Sequence, residues 1–491
     1  MDHWQRFEEA EIPPKEAFYS KLNMSGISDE EYDYAKKVWN CITPEIDSVT
    51  MGDYHDVYLT TDVLLLAEVF ETFRDVCLTN YKLDPAHFYS APGFAWKAAL
   101  KYTGIMLELL TDPDMLLMFE KGIRGGITQT VHRYAKANNK YMGDQYDPEV
   151  ESSYLQYIDS NNLYGWAMRQ DLPISGFKWV LNVEAFTEKR IEKIVGDNRR
   201  GYILEVDIDY PERLHGKHNE LSFLPERTTV HKVKKLVPNL EHKRRLRTAA
   251  KNEFEKDFYK LMNLSVFDKI ENIRNHRNIQ LVTNEDKYMK LVMKPNFKGG
   301  SRFFKHLLGV EMGKTEIKMN KPVYIGQVIL DLSKLVMYEF HYDFMQPKYD
   351  SKLQLCYMDT DSFVYHIRTE DFYRDIAQDV ETRFDTSAYN LDDNRPLPTG
   401  KNKKVVGLMK DTLNWKIVTE FITLRAKLYA YKSLTKEGGD RKAKGVKRCV
   451  TKKSITFDDY RRCLEEGVDV YKSQVLIQNK GMKSTPKRYR S

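Results

Sequence analysis

"LQLCYMDTDSFVYHI", residues 353–367, decides how this chain is read. Two apolar runs rich in aromatic and β-branched residues flank a short polar tip, the pattern of two strands joined as a hairpin through Thr360 and Asp361. Asp359 and Asp361 stand two residues apart, and on a strand that spacing puts both on one side, although the turn can re-aim Asp361. Carboxylates are costly to desolvate unless something positive meets them. Magnesium takes one or two protein carboxylates and fills its remaining positions with water and substrate phosphates. Two such ions about 3.5–4 Å apart can clamp the attacking and leaving oxygens of a phosphoryl displacement. Asp is also a common turn residue, so the pair needs a further acid. Asp159, in "YIDSNNLYGWAM" (157–168), supplies one: it too ends an apolar strand, and Tyr164 follows five residues later.

The rest of the composition narrows the class. A chain of 491 residues holds more than one domain, or one large enzyme with insertions. Hydrophobic content of 42%, aromatic content of 12% and 31 tyrosines supply a core and exclude a disordered chain. No run of about 18 apolar residues is present, so no membrane span is expected. The N-terminal stretch is acidic and aromatic, unlike a secretory signal. Five cysteines (Cys41, Cys77, Cys356, Cys449 and Cys463) lack metal spacing and read as reduced thiols of an intracellular protein. The net charge of +6 is modest, but basic clusters recur at 231–247, 399–410, 440–453 and 480–490. A single charged run is usually a solvated face; four runs around one acidic pair point to a polyanionic partner.

Periodicity places the remaining elements. Residues 15–40 read as short helical pieces, and 56–81 as an amphipathic helix with Leu65, Val69 and Phe73 spaced by four. A helix over "DPDMLLMFEKG" stops at Gly122, and Gly125 and Gly126 permit a sharp turn after it. Residues 154–168 form a strand running into a turn, and "GYILEVDIDY" (201–210) a further alternating strand. Long helices cover about 243–275 and 321–345, the second leading into the hairpin.

With these pieces in order, the chain resembles the family B DNA polymerases. "YMDTDS" is similar to their third polymerase motif, Tyr-x-Asp-Thr-Asp-Ser, and "DSNNLYGW" to the first, in the form of the protein-primed branch. "KLYAY" (427–431) resembles the Lys-x-Tyr motif that holds the primer end, and "GIRGG" (122–126) the Tyr-x-Gly-Gly element between exonuclease and polymerase regions. The resemblance is nearest to the polymerases of Polinton/Maverick transposons and related viruses, and runs over nearly the whole chain. It implies an α+β right-hand fold, a palm sheet with helical fingers and thumb, preceded by the remnant of an RNase H-like exonuclease domain. The implied boundaries are 1–120 for the remnant, 121–430 for the palm with an insertion at about 170–230 and reduced fingers at about 231–295, and 431–491 for a thumb-like basic region.

The resemblance also implies roles. Asp159 and Asp361 would bind two magnesium ions, with manganese as a possible substitute, and Asp359 would support them. Tyr164 would gate against a 2′-hydroxyl, while Lys256, Lys260 and Phe267 would line the nucleotide site. Lys427, Tyr429, Arg425, Gly125 and Gly126 would contact DNA. The implied partners are primer-template DNA, deoxynucleotides and, where priming is by protein, a terminal protein, with no membrane; the clusters at 242–247 and 486–490 read equally as nuclear signals or phosphate contacts.

Three departures qualify this. "YLTTD" (Tyr58 to Asp62) resembles the third exonuclease motif, Tyr-x-x-x-Asp, but the other exonuclease acids would lie before Met1, so no proofreading is expected; the alternative is a small helical domain of its own. The second polymerase motif, Lys-x-x-x-Asn-Ser-x-Tyr-Gly, here reads "KLMNLSVFDK" (260–269), with Leu264, Phe267 and Asp268 at the altered places. Asn263 is one place early, a rotation of about 100° on a helix. Finally, residues 235–258 join segments that are far apart in relatives, as in a truncated or decaying copy or an imperfect gene model. Two other readings follow: a non-catalytic DNA-binding relic, and a glycosyltransferase using the Asp-x-Asp pair, which leaves Asp159, "KLYAY" and the basic clusters unexplained.

Overall fold

The computed structural model describes residues 4–42, 49–194, 200–223, 277–304, 307–313, 320–389, 395–414, 416–434 and 439–474. Among them the chain is a mixed α+β molecule built on antiparallel sheets. The strands are β1 Thr128–Thr130, β2 Tyr134–Lys136, β3 Ser153–Ser160, β4 Arg277–Val282, β5 Phe297–Phe304, β6 Leu307–Gly313 and β7 Leu353–Asp359. They continue with β8 Ser362–Arg368, β9 Phe384–Asp385, β10 Met409–Asp411, β11 Val418–Arg425, β12 Leu428–Ser433 and β13 Asp440–Ala443. Ten of them form one sheet in the order β1-β7-β8-β3-β11-β12-β13, with β10 against β3 and β9, and β2 against β11; β4, β6 and β5 form a separate three-stranded sheet.

The expected hairpin is present, and both its strands are interior strands of the large sheet, between β1 and β3. Met358 pairs with Phe363, leaving Thr360 and Asp361 at the tip. Its strands read as nearly continuous apolar runs because both faces are covered, the pattern of buried strands. On one face Leu355, Met358, Phe363, Tyr365 and Ile367 join Tyr154 and Ile158 of β3 in a core closed by Met337, Phe340 and Phe372. On the other, Leu155, Tyr357 and Val364 meet Ala135, Val418, Phe421 and Tyr429. At a register shift between Leu355 and Tyr357 the alternation of β7 is interrupted, and the consecutive Cys356 and Tyr357 both join the second core. Each such side chain removed from water contributes roughly 1.5–3 kcal/mol, so the hairpin is a rigid base for its tip.

The helix expected over 321–345 spans Val323–Glu339 and runs on through a π-helical stretch, Phe340–Met345. Val323, Tyr324, Ile329 and Met337 are fully buried on it, as befits a helix that is apolar nearly all round. The helix Pro113–Gly122 also ends where the glycine predicts. Residues 243–275 lie outside the described residues.

Two expectations need correction. Residues 201–210 form no strand: Tyr202, Leu204, Val206 and Ile208 are exposed and belong to no sheet. Alternation marks a chain able to pair, but a strand exists only when a neighbour accepts its backbone hydrogen bonds. The second concerns the helix Met51–Tyr81, which begins at a Thr50/Asp53 capping box. Its ends are anchored, Met51 by a bond from its N–H to the Glu9 carbonyl (2.8 Å) and Cys77 by burial against Phe94 and Ala98. Yet Leu65 and Val69, expected to face a core, are about half exposed, as are Val63, Leu64 and Leu66. Apolar residues here run round the helix rather than along one stripe, and among the described residues none buries them.

Candidate active site

The acidic residues converge because three chain segments end side by side. β3 pairs with β8 in a register that sets Asp159 opposite Ser362, and the Ser160 N–H donates to the Asp361 carbonyl (2.7 Å). Asp159 and Asp361 therefore occupy adjoining backbone positions at one end of the sheet, both half-buried. On the other side β1 pairs with β7, setting Thr128 opposite Asp359. The hairpin tip is thus held from two directions.

Its geometry is tight. Thr360 sits at φ +61°, a left-handed conformation unfavourable for a β-branched residue. It is held there by its N–H donating to the Ile127 carbonyl (2.7 Å), while the Asp361 N–H donates to the Asp359 carbonyl (2.6 Å). Gly126 lies directly against it: a Cβ there would fall 2.3 Å from Thr360 Cγ2 and 2.9 Å from its Cβ. The last glycine of "GIRGG" is therefore a packing requirement of the hairpin tip. Gly125 is exposed beside it.

Asp359 has its own partners. Thr128 Oγ1 donates to its Oδ1 (2.8 Å), and Lys427 Nζ lies 3.2 Å from the same oxygen. Lys427 stands in the turn between β11 and β12 at φ +62°, with its backbone N–H donating to the Tyr357 hydroxyl (2.9 Å). The Lys-x-Tyr lysine is thereby brought onto the acidic hairpin across about seventy residues of sequence.

Tyr429 takes a different place from the one expected of a DNA contact. It is only 5% exposed, its ring packs near Tyr157, Tyr357 and Phe421, and its hydroxyl shares a 2.8 Å hydrogen bond with that of Tyr157. Burial, with Tyr157 beside it, pushes its ionisation well above the ordinary tyrosine range. Burial likewise raises Tyr157 and Tyr357, the nearby Asp359 adding to both. These are neutral phenols on β3, β7 and β12, two residues before Asp159 and Asp359 on the first two, and their contacts tie the three strands together. Arg425 is half-buried at the end of β11.

Tyr164 lies on the short helix Leu163–Ala167, entered through Asn162 at φ +46°. It is half-buried against the core that contains Leu116, Phe119 and Tyr324. Gly165 is crowded by Asn162, whose amide nitrogen would stand 2.1 Å from an added Cβ. Tyr58 and Asp62 sit one turn apart on the exposed middle of the helix Met51–Tyr81, and a hydrogen bond to Asp62 raises the Tyr58 hydroxyl's ionisation. They are not brought to the hairpin by any described contact. Lys256, Lys260, Leu264, Phe267 and Asp268 lie outside the described residues.

Sequence reasoning missed two partners that the fold supplies: Thr128 on Asp359, and the buried Asp385, which accepts from Asn161 Nδ2 (2.6 Å) beside the first acid. Neither has a local sequence signal, because each pair is more than two hundred residues apart.

The donor set suits a hard divalent cation. Asp159 and Asp361 carry their carboxylates on neighbouring segments, and Asp359 pairs with Lys427. Among the described residues no three His, Cys, Asp or Glu side chains gather as a closed cage. Two carboxylates completed by water and phosphate is the manner in which magnesium binds.

In overall shape the chain is similar to solved structures of Phi29 DNA polymerase. Against the ternary complex with primer-template DNA and incoming nucleotide substrates the TM-score is 0.39 at 12% identity, covering 94% of this chain and 73% of that one. Against the orthorhombic crystal form it is 0.41 at 12% identity with the same coverage. Against the complex with single-stranded DNA it is 0.41 at 13% identity, covering 82% and 67%. No protein-family model matches the sequence, and no curated protein matches it.

Proposed function

We propose that this chain is a DNA-directed DNA polymerase of the family B, protein-primed type, acting in the replication of a mobile element or virus. The observation that carries the reading is the junction at the hairpin tip. The strand ending in Asp159 and the Asp359-Thr360-Asp361 turn are hydrogen-bonded neighbours, clamped by Gly126 on one side and Lys427 on the other. Four motifs scattered over three hundred residues meet at one place.

In this reading the 3′-hydroxyl of a primer attacks the α-phosphate of a template-paired deoxynucleotide, and pyrophosphate leaves. Asp159 and Asp361 would hold two magnesium ions, for which manganese could substitute, and metal bound there would supply charge neutralisation at the attacking and leaving oxygens. Everything else the chain does is positioning and charge placement. Lys427 balances Asp359 and offers a cation where a primer phosphate would arrive. Tyr429 acts from beneath, through Tyr157, rather than by direct contact. Tyr164 stands on the short helix after Asp159, where its ring would exclude a ribose. Lys256, Lys260 and Phe267 would meet the nucleotide, and Gly125 and Arg425 the duplex. The division into an exonuclease remnant (1–120), palm with fingers (121–430) and thumb-like region (431–491) belongs to the same proposal, as do a terminal protein primer and a nuclear destination. No helix among the described residues is long and apolar enough to cross a membrane.

Single-turnover primer extension on a defined template tests the reading. Extension by the parent that is lost on Asp361→Ala, with DNA binding retained, supports it; full activity of that variant overturns it. The altered motif at Leu264 and Asp268 favours one other reading, a DNA-binding relic, for which the parent would bind primed DNA without extending it.

A further inference from the structure

The segment 400–407 is built with unusual care for a lysine-rich surface loop. Four of its eight residues have positive φ: Gly400 (+73°), Asn402 (+56°), Lys404 (+63°) and Gly407 (+84°). Two of these are not glycine, and such strain persists only where the surroundings over-determine it. Those surroundings are explicit. The Asn402 side-chain amide donates to the carbonyls of Val380 (2.7 Å) and Phe384 (2.9 Å). Asp385, 5% exposed, accepts from the backbone N–H groups of Lys404 (2.8 Å) and Ser387 (2.9 Å) and from Asn161 Nδ2. The loop's far arm is bonded to the turn after the first catalytic acid. The Gly407 N–H donates to the Asn161 carbonyl (2.7 Å), and the Asn161 N–H donates to the Leu408 carbonyl (2.8 Å). Beyond it, β10 pairs Lys410 with Asp159. Gly407 also lies against Trp166, whose Cδ1 would stand 2.4 Å from an added Cβ.

The outcome is a fixed loop that presents Lys401, Lys403 and Lys404 to solvent, its far end bonded at Gly407 to Asn161, two residues after Asp159. Lys401 has an exposed partner in Glu381 at 3.2 Å, a contact of little strength in water. Asp385, the acid under the loop, is covered by N–H donors and turned inward. Solvated lysines need no such scaffold; ammonium groups that must meet a phosphate backbone in one register do.

We propose that the 400–407 loop is a nucleic-acid phosphate clamp beside the candidate active site, with Lys403 and Lys404 as its contacts and Asp385 as the residue that positions it. The proposal rests on the polymerase reading for its ligand, primed duplex DNA. The test measures binding of a labelled primer-template by fluorescence anisotropy across a salt series, for the full chain, for Lys403→Gln with Lys404→Gln, and for Lys36→Gln with Lys37→Gln. The last pair is exposed on the helix Asp29–Ile42 and matches the change in net charge. Each phosphate contact contributes about 0.9 to the slope of log affinity against log salt for duplex DNA. The loop pair should therefore flatten the slope by about 2 and weaken binding by roughly ten- to a hundredfold near 0.1 M salt, while the control pair leaves both unchanged. Equal losses in both variants, or none in the loop pair, overturn the clamp. Primer extension by the unmodified chain is read separately: steep binding without extension counts against the polymerase reading and leaves the clamp standing.

Discussion

Replacing Gly126 with alanine should damage the hairpin tip more than its chemistry suggests. A methyl group there would meet three atoms of Thr360, at 2.3 Å (Cγ2), 2.7 Å (Oγ1) and 2.9 Å (Cβ). Rotating the threonine side chain moves the first two but not its Cβ, so the backbone has to give. That backbone is already at φ +61° and tied to Ile127 by a 2.7 Å hydrogen bond. Overpacking of this kind costs about 1–3 kcal/mol, a melting shift of roughly 2–4 °C per kcal/mol for domains of moderate size. The larger effect should fall on function. Asp359 and Asp361 flank Thr360, and a displacement of about 1 Å in positioned groups can cost on the order of a hundredfold in rate. The assay is a double-mutant cycle of Gly126→Ala and Thr360→Gly, read by thermal melting and by single-turnover primer extension. Thr360→Gly removes the clashing atoms and suits a left-handed φ, so the double variant should recover much of what Gly126→Ala loses. If Gly126→Ala melts and extends like the parent, or if the second change restores nothing, the packing account of this glycine is wrong.

Asp159→Ala and Asp361→Ala should each abolish extension while leaving DNA binding largely intact, whereas Asp359→Ala, whose carboxylate is already balanced by Lys427, should leave a trace; single-turnover rates beside binding isotherms separate these outcomes. Leu264→Asn with Asp268→Gly should improve apparent nucleotide affinity in a primer-extension titration by roughly ten- to a hundredfold, since a hydrogen bond to a charged group is worth about 1.5–3 kcal/mol; no gain would mean the altered motif is cosmetic. Burial pushes the His341 imidazole down to about 4, so the folded chain holds it neutral, bonded to the Tyr365 hydroxyl at 2.9 Å. A depressed histidine gives stability that is complete above its unfolded value of about 6.5 and is lost as pH falls toward 4, on the order of 3 kcal/mol in all. Urea midpoints between pH 7 and pH 4.5 should fall less steeply for His341→Phe than for the parent, even though its stability at pH 7 is lower.

Local sequence determined the parts whose physics is local. Alternation and an Asp-Thr-Asp tip were enough for the hairpin, a glycine for the end of the helix at 122, and apolar residues all round for the buried helix Val323–Glu339. The acids were legible as candidates because a carboxylate that ends an apolar strand is costly to desolvate unless something positive meets it. What surrounds them was not, since contacts such as Thr128 with Asp359, Asn161 with Asp385 and Gly126 with Thr360 join residues hundreds of positions apart and leave no periodic trace. The same limit explains the misplaced elements. Alternation at 201–210 stated a capacity to pair, and spacing at Leu65 and Val69 a preference for burial. Whether a partner strand or a covering surface stands there is settled by tertiary structure alone, because hydrogen-bond pairing and burial are properties of two segments together. Tyr429 makes the point within the site. Its motif brought it to the right strand, but only the packing of β12 against β3 and β7 decided that it would lie under the acids, bonded to Tyr157, instead of facing outward.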